Sequence, residues 1–378
     1  MISRILRFAA AGAFAVAGKG FAAPSTLREA TGGNPLIGCA LGTQDIDNPP
    51  LARLVARQFD CLTADNQMMP AKLVDESGRY TFADGDRIAD FAQDHGLKFF
   101  GQMFVWHHVT RAWLFEDARG RPLPRAQALS NLRSYILAVG RHYRGRVTAW
   151  NVVNEALSDE PGEYLRPTPA LRAIGDDYIA QAFAFAQEAD PGAELYYNDY
   201  NVEEPAKRAQ ALRLLRSLRA RGLRVDAIGI QGHWTLGFPE LSAITDSLKQ
   251  FHQAGFKVFI TELDIDVLPR TVSGADLATV EHGPDPFRNG LPAEVQAALA
   301  RRYAEIFAAL LNPSPAEMIT FWGPDDGRSW LNDFPVRHRI NYPLLFDRSL
   351  RPKPAFYAVR DQLQMAASSH SSRSAASP

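Results

Sequence analysis

The chain has 378 residues, and its 41 basic and 42 acidic side chains leave a formal net charge of −1. This balance offers no basic surplus to neutralise a phosphate backbone, so nucleic acid is not expected as a partner. Hydrophobic residues make up 46% and charged residues 22% of the chain, which is typical of a globular protein and excludes a disordered, collagen-like or coiled-coil one.

The N-terminus carries the pattern of an export signal. Arg4 and Arg7 precede an apolar, alanine-rich run over residues 8–18, and Ala22 closes a passable cleavage signature. This run is too short to span a bilayer and no other stretch is long enough, so no membrane partner is expected. We therefore predict a signal peptide over residues 1–22 and a secreted or periplasmic protein.

Short apolar runs alternate with longer amphipathic runs along the rest of the chain, which predicts βα units around a parallel sheet. Eight strands are predicted, at residues 35–41, 57–63, 98–105, 147–153, 194–198, 226–231, 257–263 and 317–322. Amphipathic helices are predicted between them, at residues 84–95, 126–143, 169–189, 205–222, 239–254 and 293–311.

This order of elements predicts an α/β fold, a single-domain (β/α)8 TIM barrel over residues 23–366. A doubly wound open sheet is the alternative, but Gly42-Thr43-Gln44-Asp45 after the first strand lacks the G-x-G-x-x-G spacing of a dinucleotide site. The Gly/Pro-rich residues 264–290 are predicted as a long loop, and the Ala/Ser-rich residues 367–378 as a disordered tail.

Polar side chains stand at the carboxyl ends of the third to eighth predicted strands, where such a barrel carries its catalytic residues. Glu155 and Glu262 directly follow apolar residues of the fourth and seventh strands, so we expect both carboxyls to be partly desolvated. Two carboxyls at one barrel mouth can cleave a glycosidic bond if one stays protonated and the other ionised. Trp106, Trp322 and Trp330 would then supply stacking faces for sugars, although each alone is more typical of a core.

A metal centre is the competing use of these side chains. His107 and His108 are neighbours at a predicted strand end, so their side chains are expected to point to opposite faces and not to share an ion. His233 and Glu262 lack an evident third ligand, and the sequence has no H-E-x-x-H motif and no G-x-S-x-G elbow. We therefore predict no metal and no cofactor.

Five fragments at the strand ends are more specific than any single residue. They read Trp150-Asn151-Val152-Val153-Asn154-Glu155-Ala156, Tyr197-Asn198-Asp199-Tyr200-Asn201, Gly229-Ile230-Gln231-Gly232-His233-Trp234, Ile260-Thr261-Glu262-Leu263-Asp264 and Phe321-Trp322-Gly323. In this order the chain resembles glycoside hydrolase family 10, the endo-β-1,4-xylanase family, from about Leu36 to Tyr357. The resemblance implies an endo-acting, retaining enzyme that hydrolyses xylan, with the polysaccharide as its partner, and we expect a monomer.

The resemblance also assigns roles to residues. Glu155 matches the acid/base and Glu262 the nucleophile, whose carboxyls a retaining mechanism places roughly 5–5.5 Å apart. Four residues match supporting positions, with Asn154 on the sugar 2-hydroxyl, Gln231 near the carboxyls, His233 holding the nucleophile and Asp264 orienting His233. Sugar contacts are implied for Asp65, Asn66, Met69, Gln102, Trp106, His107, Tyr200, Trp322 and Trp330.

The sequence departs from the family pattern in the half of the cleft that grips the non-reducing side of the substrate. Asp65 and Met69 replace a Glu and a Lys, and Gln102 and Val109 replace a His and a Gln. Each lost hydrogen bond is worth roughly 1–3 kcal/mol, and we expect the chemistry to survive. Either other contacts absorb the four changes or the subsites are altered, and the concerted replacement favours altered subsites. Three functions stay open, which are xylan hydrolysis, hydrolysis of a different or decorated β-linked glycan, and carbohydrate binding without catalysis.

The two cysteines, Cys39 and Cys61, fall on the neighbouring first and second predicted strands. They are too few for a disulfide framework or a multi-cysteine zinc site. In a secreted protein they could form one disulfide, and two buried thiols are an equal alternative.

Overall fold

The computed structural model describes residues 26–269 and 278–375, so the signal peptide predicted at residues 1–22 lies outside the described residues. Within these ranges the strands are Leu36–Leu41 (β1), Cys61–Ala64 (β2), Lys98–Gly101 (β3), Ala149–Asn154 (β4), Glu194–Asp199 (β5), Ala227–Ile230 (β6), His233–Thr235 (β7), Lys257–Asp266 (β8) and Met318–Phe321 (β9). Each of the eight predicted strands is present, and β7 is additional.

Helices connect the strands and surround them. They are Leu27–Thr31 (α1), Thr43–Ile46 (α2), Pro49–Gln58 (α3), Pro70–Leu73 (α4), Ala83–Asp94 (α5), Arg125–His142 (α6), Pro169–Ile174 (α7), Tyr178–Ala189 (α8), Pro205–Ala220 (α9), Leu241–Gln253 (α10), Ala293–Leu311 (α11) and Pro354–Ala375 (α12). Short 3₁₀ turns lie at Ala112–Leu114 and Trp330–Asn332. In the part of the chain that the structure describes, no helix combines the length and apolarity that a membrane crossing requires.

Eight of the strands form a closed parallel ring. Its order is β1-β2-β3-β4-β5-β6-β8-β9, and β9 pairs back onto β1. This confirms the predicted (β/α)8 barrel and excludes the open sheet, because an open sheet would leave two unpaired edges. Since all eight strands run in the same direction, their carboxyl ends meet at one mouth of the barrel.

The inside of the ring is a packed layer rather than a pore. Phe259 contacts Phe100 and Tyr196 edge to face, with ring centroids 5.8 and 5.5 Å apart. The rest of the layer is small or flexible and consists of Cys61, Ala149, Ala227 and Met318. The outer faces of the strands pack against the helices in a second, larger core. Truncating a ring such as Phe259 to Ala would cost about 3–5 kcal/mol.

Cys39 and Cys61 are two buried thiols, the second of the predicted alternatives. β1 pairs with β2 so that Gly38 lies opposite Cys61, and Cys39 therefore points to the other face of the sheet. Cys61 lies in the interior layer and Cys39 in the outer core, so a bridge between them cannot form. Burial raises the pKa of both thiols.

Two helical regions in the N-terminal half, α3 and the pair α7 and α8, differ from the sequence predictions. α3 occupies residues up to Gln58, where a strand is predicted from residue 57, because the Asn48 side chain caps the first turn and Pro49 begins it. The helix predicted at 169–189 is two helices, α7 and α8, because Gly175 has a φ of 99°, far from helical values.

The C-terminal helix α12 continues to Ala375, past residue 367 where the tail is predicted to begin. The stretch is rich in alanine, the best helix former. The hydroxyls of Ser368 and Ser369 donate to the carbonyls of Gln364 and Met365 one turn earlier, so these serines are compatible with the helix.

The seventh strand of the ring, β8, runs further than predicted and ends at Asp266. Its last residues pair with the short strand β7, which places His233 directly opposite Asp264. The first part of the predicted 264–290 loop is therefore strand, and residues 270–277 of that loop lie outside the described residues. This extension positions the histidine beside the acidic residues of β8.

Candidate active site

A cleft of about 840 Å³ opens at the carboxyl ends of the barrel strands. Glu155 and Glu262 both line it, together with Asn154, Gln231 and His233. Seven of the nine residues predicted to contact sugar also line it, namely Asp65, Asn66, Met69, Trp106, Tyr200, Trp322 and Trp330. A cleft of this size at a barrel mouth, with convergent polar groups, is where a substrate is expected to bind.

Glu155 is the first residue after β4, and its backbone turns sharply there. Its φ of 56° is in the left-handed region, a strain of order 1–3 kcal/mol for a residue other than glycine. The backbone N–H of Glu155 is held by the Asn198 carbonyl at 2.9 Å, which ties this turn to β5. Strain of this kind is concentrated at functional sites, where surrounding structure sustains it.

The Glu155 carboxyl is 6% exposed and accepts hydrogen bonds only from neutral donors among the described residues. Gln231 Nε2 donates to Oε1 at 2.8 Å, and Trp106 Nε1 donates to Oε2 at 2.8 Å. Burial, followed by the charge of Asp199, raises its pKa to about 7, against the opposing effect of these two donors. The group can therefore carry a proton at neutral pH and release it in reaction.

Glu262 has a different set of partners on the opposite side of the cleft. Its Oε1 accepts from Asn198 Nδ2 at 2.8 Å, and its Oε2 lies 3.2 Å from His233 Nε2. The His233 ring is bonded on its other side to Asp264, at 3.1 Å from Nδ1. Burial disfavours the charged ring, but Asp264 and Glu262 outweigh burial and raise the pKa of His233 to about 9. Glu262 thus faces a cation.

A chain of amides connects the two carboxyls. Asn154 donates to Glu155 at 3.2 Å, and its own carbonyl oxygen accepts from Asn198 at 2.9 Å. Asn198 in turn donates to Glu262, so its single amide group bonds both neighbours. β5 pairs with β6 so that Asn198 faces Gly229, where an added Cβ would lie 2.2 Å from the Asn198 oxygen. The glycine therefore makes room for this amide.

A partly buried ionic network lies behind Glu155. Lys207 Nζ is 3.0 Å from Asp199 and 3.0 Å from Asp159, and it stands 3.4 Å from the centre of the Tyr200 ring. Arg166 donates to Asp159 at 3.0 Å and to the Tyr200 hydroxyl at 2.8 Å, and that hydroxyl donates to Asp159. The network fixes Tyr200 at the cleft and holds Asp199, whose charge acts on Glu155.

Two tryptophans after β9 enclose the cleft on the side of Glu262. Trp330 donates its indole N–H to Asp264 at 2.8 Å and stacks on Phe334 with ring centroids 4.6 Å apart. The His233 ring lies against both tryptophans, 4.9 Å from Trp330 and 6.3 Å from Trp322. Asp264 does not itself line the cleft but contacts both His233 and Trp330, and its supporting role stays a prediction.

The half of the cleft that departs from the family pattern, at Asp65, Met69 and Gln102, has fewer side-chain hydrogen bonds. Asn66 donates to Asp65 at 2.6 Å, and burial, followed by the charge of Asp45, raises the pKa of Asp65 to about 6. Met69 lines the same wall and offers only an apolar surface. Gln102 is buried and does not line the cleft. Its side chain donates to the Asp65 carbonyl at 3.3 Å and so contacts the loop that carries Asp65.

His107 also differs from its prediction as a cleft residue. It borders a small separate cavity with Thr168 and Tyr178, and burial, followed by the charge of His108, lowers its pKa to about 3. The expectation that His107 and His108 point to opposite faces is wrong, because β3 ends at Gly101 and strand alternation no longer applies. Their ring centroids are 4.1 Å apart, and one ligand atom of each lies within 4.8 Å of the other and of Glu155.

Three site residues were not assigned a role from the sequence. Asn198 and Asp199 lie within the fragment Tyr197-Asn198-Asp199-Tyr200-Asn201 that resembles the family. Gly229, which lies opposite Asn198, is the sequence signal that could have shown where the Asn198 amide points. Arg328 lines the cleft with its Nε 3.2 Å from Asp45, and no sequence pattern distinguished it from an ordinary loop arginine. It brings a cation to the cleft, paired with Asp45 and Asp325.

Known proteins are similar to this chain in sequence and in fold. Residues 26–362 match the family model described as glycosyl hydrolase family 10. The chain is 37% identical to endo-1,4-beta-xylanase B of Paenibacillus barcinonensis over 86% of this chain and 95% of that protein. It is 37% identical to an endo-1,4-beta-xylanase of Geobacillus stearothermophilus over 88% of this chain and 97% of that protein. The structure of a GH10 endoxylanase retrieved from a sugarcane soil metagenome is similar with a TM-score of 0.84 and 34% identity, covering 90% of this chain and 100% of that one.

Proposed function

The chain belongs to glycosyl hydrolase family 10, and on that premise we propose that it is a retaining endo-β-1,4-xylanase that hydrolyses xylan. Both curated relatives are endo-1,4-beta-xylanases. They give no support to the two alternative functions, which are hydrolysis of a different glycan and carbohydrate binding without catalysis. One observation within the molecule carries the mechanism: two buried carboxyls line one barrel mouth, Glu155 among neutral donors and Glu262 beside a cationic histidine.

The first step forms a covalent glycosyl-enzyme. A carboxylate oxygen of Glu262 attacks the anomeric carbon, and the bond from that carbon to the glycosidic oxygen breaks. Glu155 gives its proton to the leaving oxygen, so the reducing-side fragment departs as a neutral alcohol. With a pKa of about 7, Glu155 still carries this proton in about half of the molecules at neutral pH, while Asn198 and His233 hold the attacking carboxylate in place.

The second step releases the sugar. Glu155, now ionised, takes a proton from a water molecule, whose oxygen attacks the anomeric carbon on the face that the leaving group vacated. The ester bond to Glu262 breaks, and Glu262 regains its carboxylate while Glu155 regains its proton. Two successive inversions retain the β-configuration of the product.

Binding is divided between the two halves of the cleft. Trp106, Trp322 and Trp330 offer aromatic faces, on which sugar rings stack through their C–H faces. Asn154 faces the cleft between the carboxyls, and we assign its amide to the sugar 2-hydroxyl, where hydrogen bonds strengthen in the transition state. On the non-reducing side Met69 replaces a charged contact with an apolar one, so affinity there depends more on Asp65, Asn66 and Arg328.

The test is the release of reducing sugar from xylan by the wild type, Glu155→Ala and Glu262→Ala. We expect a mixture of short oligosaccharides from the wild type, as an endo-acting enzyme gives, and the β-anomer as the first product seen by NMR. An active Glu262→Ala variant would refute the nucleophile assignment, and an α-anomer formed first would refute retention. Both variants should keep the wild-type melting temperature within a few degrees, because the substitutions face the cleft.

We also propose that the protein is exported and that it is a monomer. Arg4, Arg7 and the apolar run at residues 8–18 support export, and a near-neutral polysaccharide as substrate supports an enzyme that acts outside the cytoplasm. N-terminal sequencing of the protein from culture supernatant or periplasm should begin after Ala22. Light scattering should give the mass of one chain.

A further inference from the structure

A second cluster of ligand atoms lies on the acid/base side of the cleft. One ligand atom each of His107, His108 and Glu155 lies within 4.8 Å of the other two. We propose that these three residues form a binding site for one divalent transition-metal ion such as Zn²⁺, and that the bound ion inhibits hydrolysis. The inhibition rests on the proposed role of Glu155, whereas the binding does not.

The donor set suits a transition metal better than Mg²⁺ or Ca²⁺. Two imidazoles and one carboxylate are typical ligands of Zn²⁺, whereas Mg²⁺ and Ca²⁺ are held by oxygen ligands. Bonds of about 2.0–2.2 Å in a tetrahedral site place donor atoms roughly 3.3–3.6 Å apart. The three side chains must therefore approach by about 1 Å, and water can take the fourth position.

His107 supplies an independent observation that points to a ligand. Its Nδ1 is buried and has no hydrogen-bond partner within the described residues. A buried polar atom without a partner is unfavourable, and a neutral imidazole has one nitrogen lone pair to offer a metal ion. The His107 ring contacts the His108 ring, with centroids 4.1 Å apart, and borders the small cavity at Thr168 and Tyr178.

His108 provides the access that such a site needs. It is exposed, and its ring packs against Trp106 with centroids 5.1 Å apart. An ion can therefore reach the cluster from solvent. His108 does not line the substrate cleft and takes no part in the proposed mechanism, which makes it the residue to change.

Inhibition follows from the third ligand. An ion bound to the Glu155 carboxylate excludes the proton that this group must deliver to the leaving oxygen and the proton it must later take from water. The ion would also compete with the hydrogen bond from Trp106, which now holds Oε2 at 2.8 Å. Hydrolysis should stop in proportion to the occupancy of the site and recover when the ion is removed.

Calorimetric titration of ZnCl₂ tests the binding without reference to activity. It uses the protein without a polyhistidine tag, after treatment with EDTA, as wild type, Glu262→Gln, His108→Ala and His95→Ala. His95 is an exposed histidine at the end of α5, before β3 and so at the opposite end of the barrel, and serves as the matched control. We expect one ion per chain in the wild type, Glu262→Gln and His95→Ala, and at least about tenfold weaker binding in His108→Ala.

Xylan hydrolysis then tests the inhibition. Wild type and His95→Ala should lose activity at the zinc concentration that fills the site and regain it with EDTA, and His108→Ala should need at least about tenfold more zinc. Equal zinc binding by His108→Ala and His95→Ala, or no binding up to millimolar zinc, would overturn the site. Binding without loss of activity would overturn the inhibition. An enzyme inactive on xylan in zinc-free buffer would contradict the proposed function alone, because calorimetry would still report the site.

Discussion

Glu155 and Glu262 carry the same carboxyl group on two sides of one cleft, in surroundings of opposite electrical character. The donors to Glu155 are the neutral side chains of Gln231, Trp106 and Asn154, and its pKa is raised to about 7 by burial and then by a nearby anion. Glu262 instead lies 3.2 Å from a histidine, His233, whose pKa is raised to about 9.

The difference teaches that the role of each carboxyl is set by its neighbours and not by its residue type. A buried carboxyl beside an anion keeps its proton to higher pH, whereas a cation next to a carboxylate favours the ionised form. The barrel achieves this with few residues, because β7 pairs with β8 and brings His233 to Glu262, while Asp199 ends β5 on the other side. Substitutions that exchange or remove these neighbours should break the contrast.

Removal of the nucleophile should have the largest effect. Glu262→Gln keeps the size of the side chain but cannot form the glycosyl ester, so kcat should fall on the order of 10⁴-fold or more. The loss should be equal for xylan and for a dinitrophenyl β-xylobioside, because both need the same attack. Initial-rate measurements on the two substrates check this, and a variant that hydrolyses the dinitrophenyl glycoside at near wild-type rate would contradict it.

Loss of the acid/base should depend on the substrate. Glu155→Gln should lower kcat on xylan by about 10²–10⁴-fold, because the sugar leaving group must be protonated. Formation of the glycosyl-enzyme from a dinitrophenyl glycoside should be far less affected, since that leaving group departs as a stable anion. Stopped-flow measurements should then show a burst of dinitrophenolate followed by slow turnover, which added azide accelerates because it needs no general base. Equal losses on both substrates would argue that Glu155 is not the acid.

The cation beside the nucleophile should matter less than either carboxyl. His233→Asn removes the charge and the ring that lies against Trp330, and we expect kcat to fall by roughly 10²-fold, as for the loss of one preorganised donor. Asp264→Asn should reproduce part of this loss, since it weakens the charge on His233 without removing the ring. Kinetics of both variants on xylan check the order, and an Asp264→Asn loss larger than that of His233→Asn would show that Asp264 acts mainly through Trp330.

Much of this contrast could be read from the sequence, because strand ends in a (β/α)8 barrel converge whatever the loops do. Apolar runs predicted all eight ring strands, and the polar residues after them brought Glu155, Glu262, Asn154 and His233 to one cleft, where the structure has them. The assigned roles remain predictions until the variants are measured.

The remaining features depend on geometry that a strand pattern does not contain. His107 and His108 were placed on opposite faces because the strand was predicted to continue to residue 105, whereas it ends at Gly101 and a turn follows. The bridging role of Asn198 depends on register, since only the pairing with Gly229 shows where its amide points. The sequence pattern predicts no helix at residues 49–58 although Asn48 and Pro49 give a cap and a first-turn proline, and the strand predicted from residue 57 overlaps only the last two residues of α3.

The smallest expected effect is a change in pH dependence, and it tests the anion behind the acid/base. Asp199→Asn removes a charge that raises the pKa of Glu155, so that pKa should move from about 7 towards the ordinary value of a glutamic acid. Lys207, 3.0 Å from Asp199, then keeps only Asp159 as an anionic partner, which shifts Glu155 in the same direction.

Since Glu155 works as an acid only while protonated, activity is lost as the pH rises through its pKa. The high-pH limb of kcat/KM, which reports the free enzyme, should therefore lie near pH 7 in the wild type and at lower pH in Asp199→Asn, by less than about 1 unit. Activity at pH 5 should change little. Asp90→Asn, an exposed acid on α5 at the outside of the barrel, is the control and should keep the wild-type limb. A limb that stays in place, or moves to higher pH, in a folded Asp199→Asn variant would mean that the charge of Asp199 does not raise the pKa of Glu155.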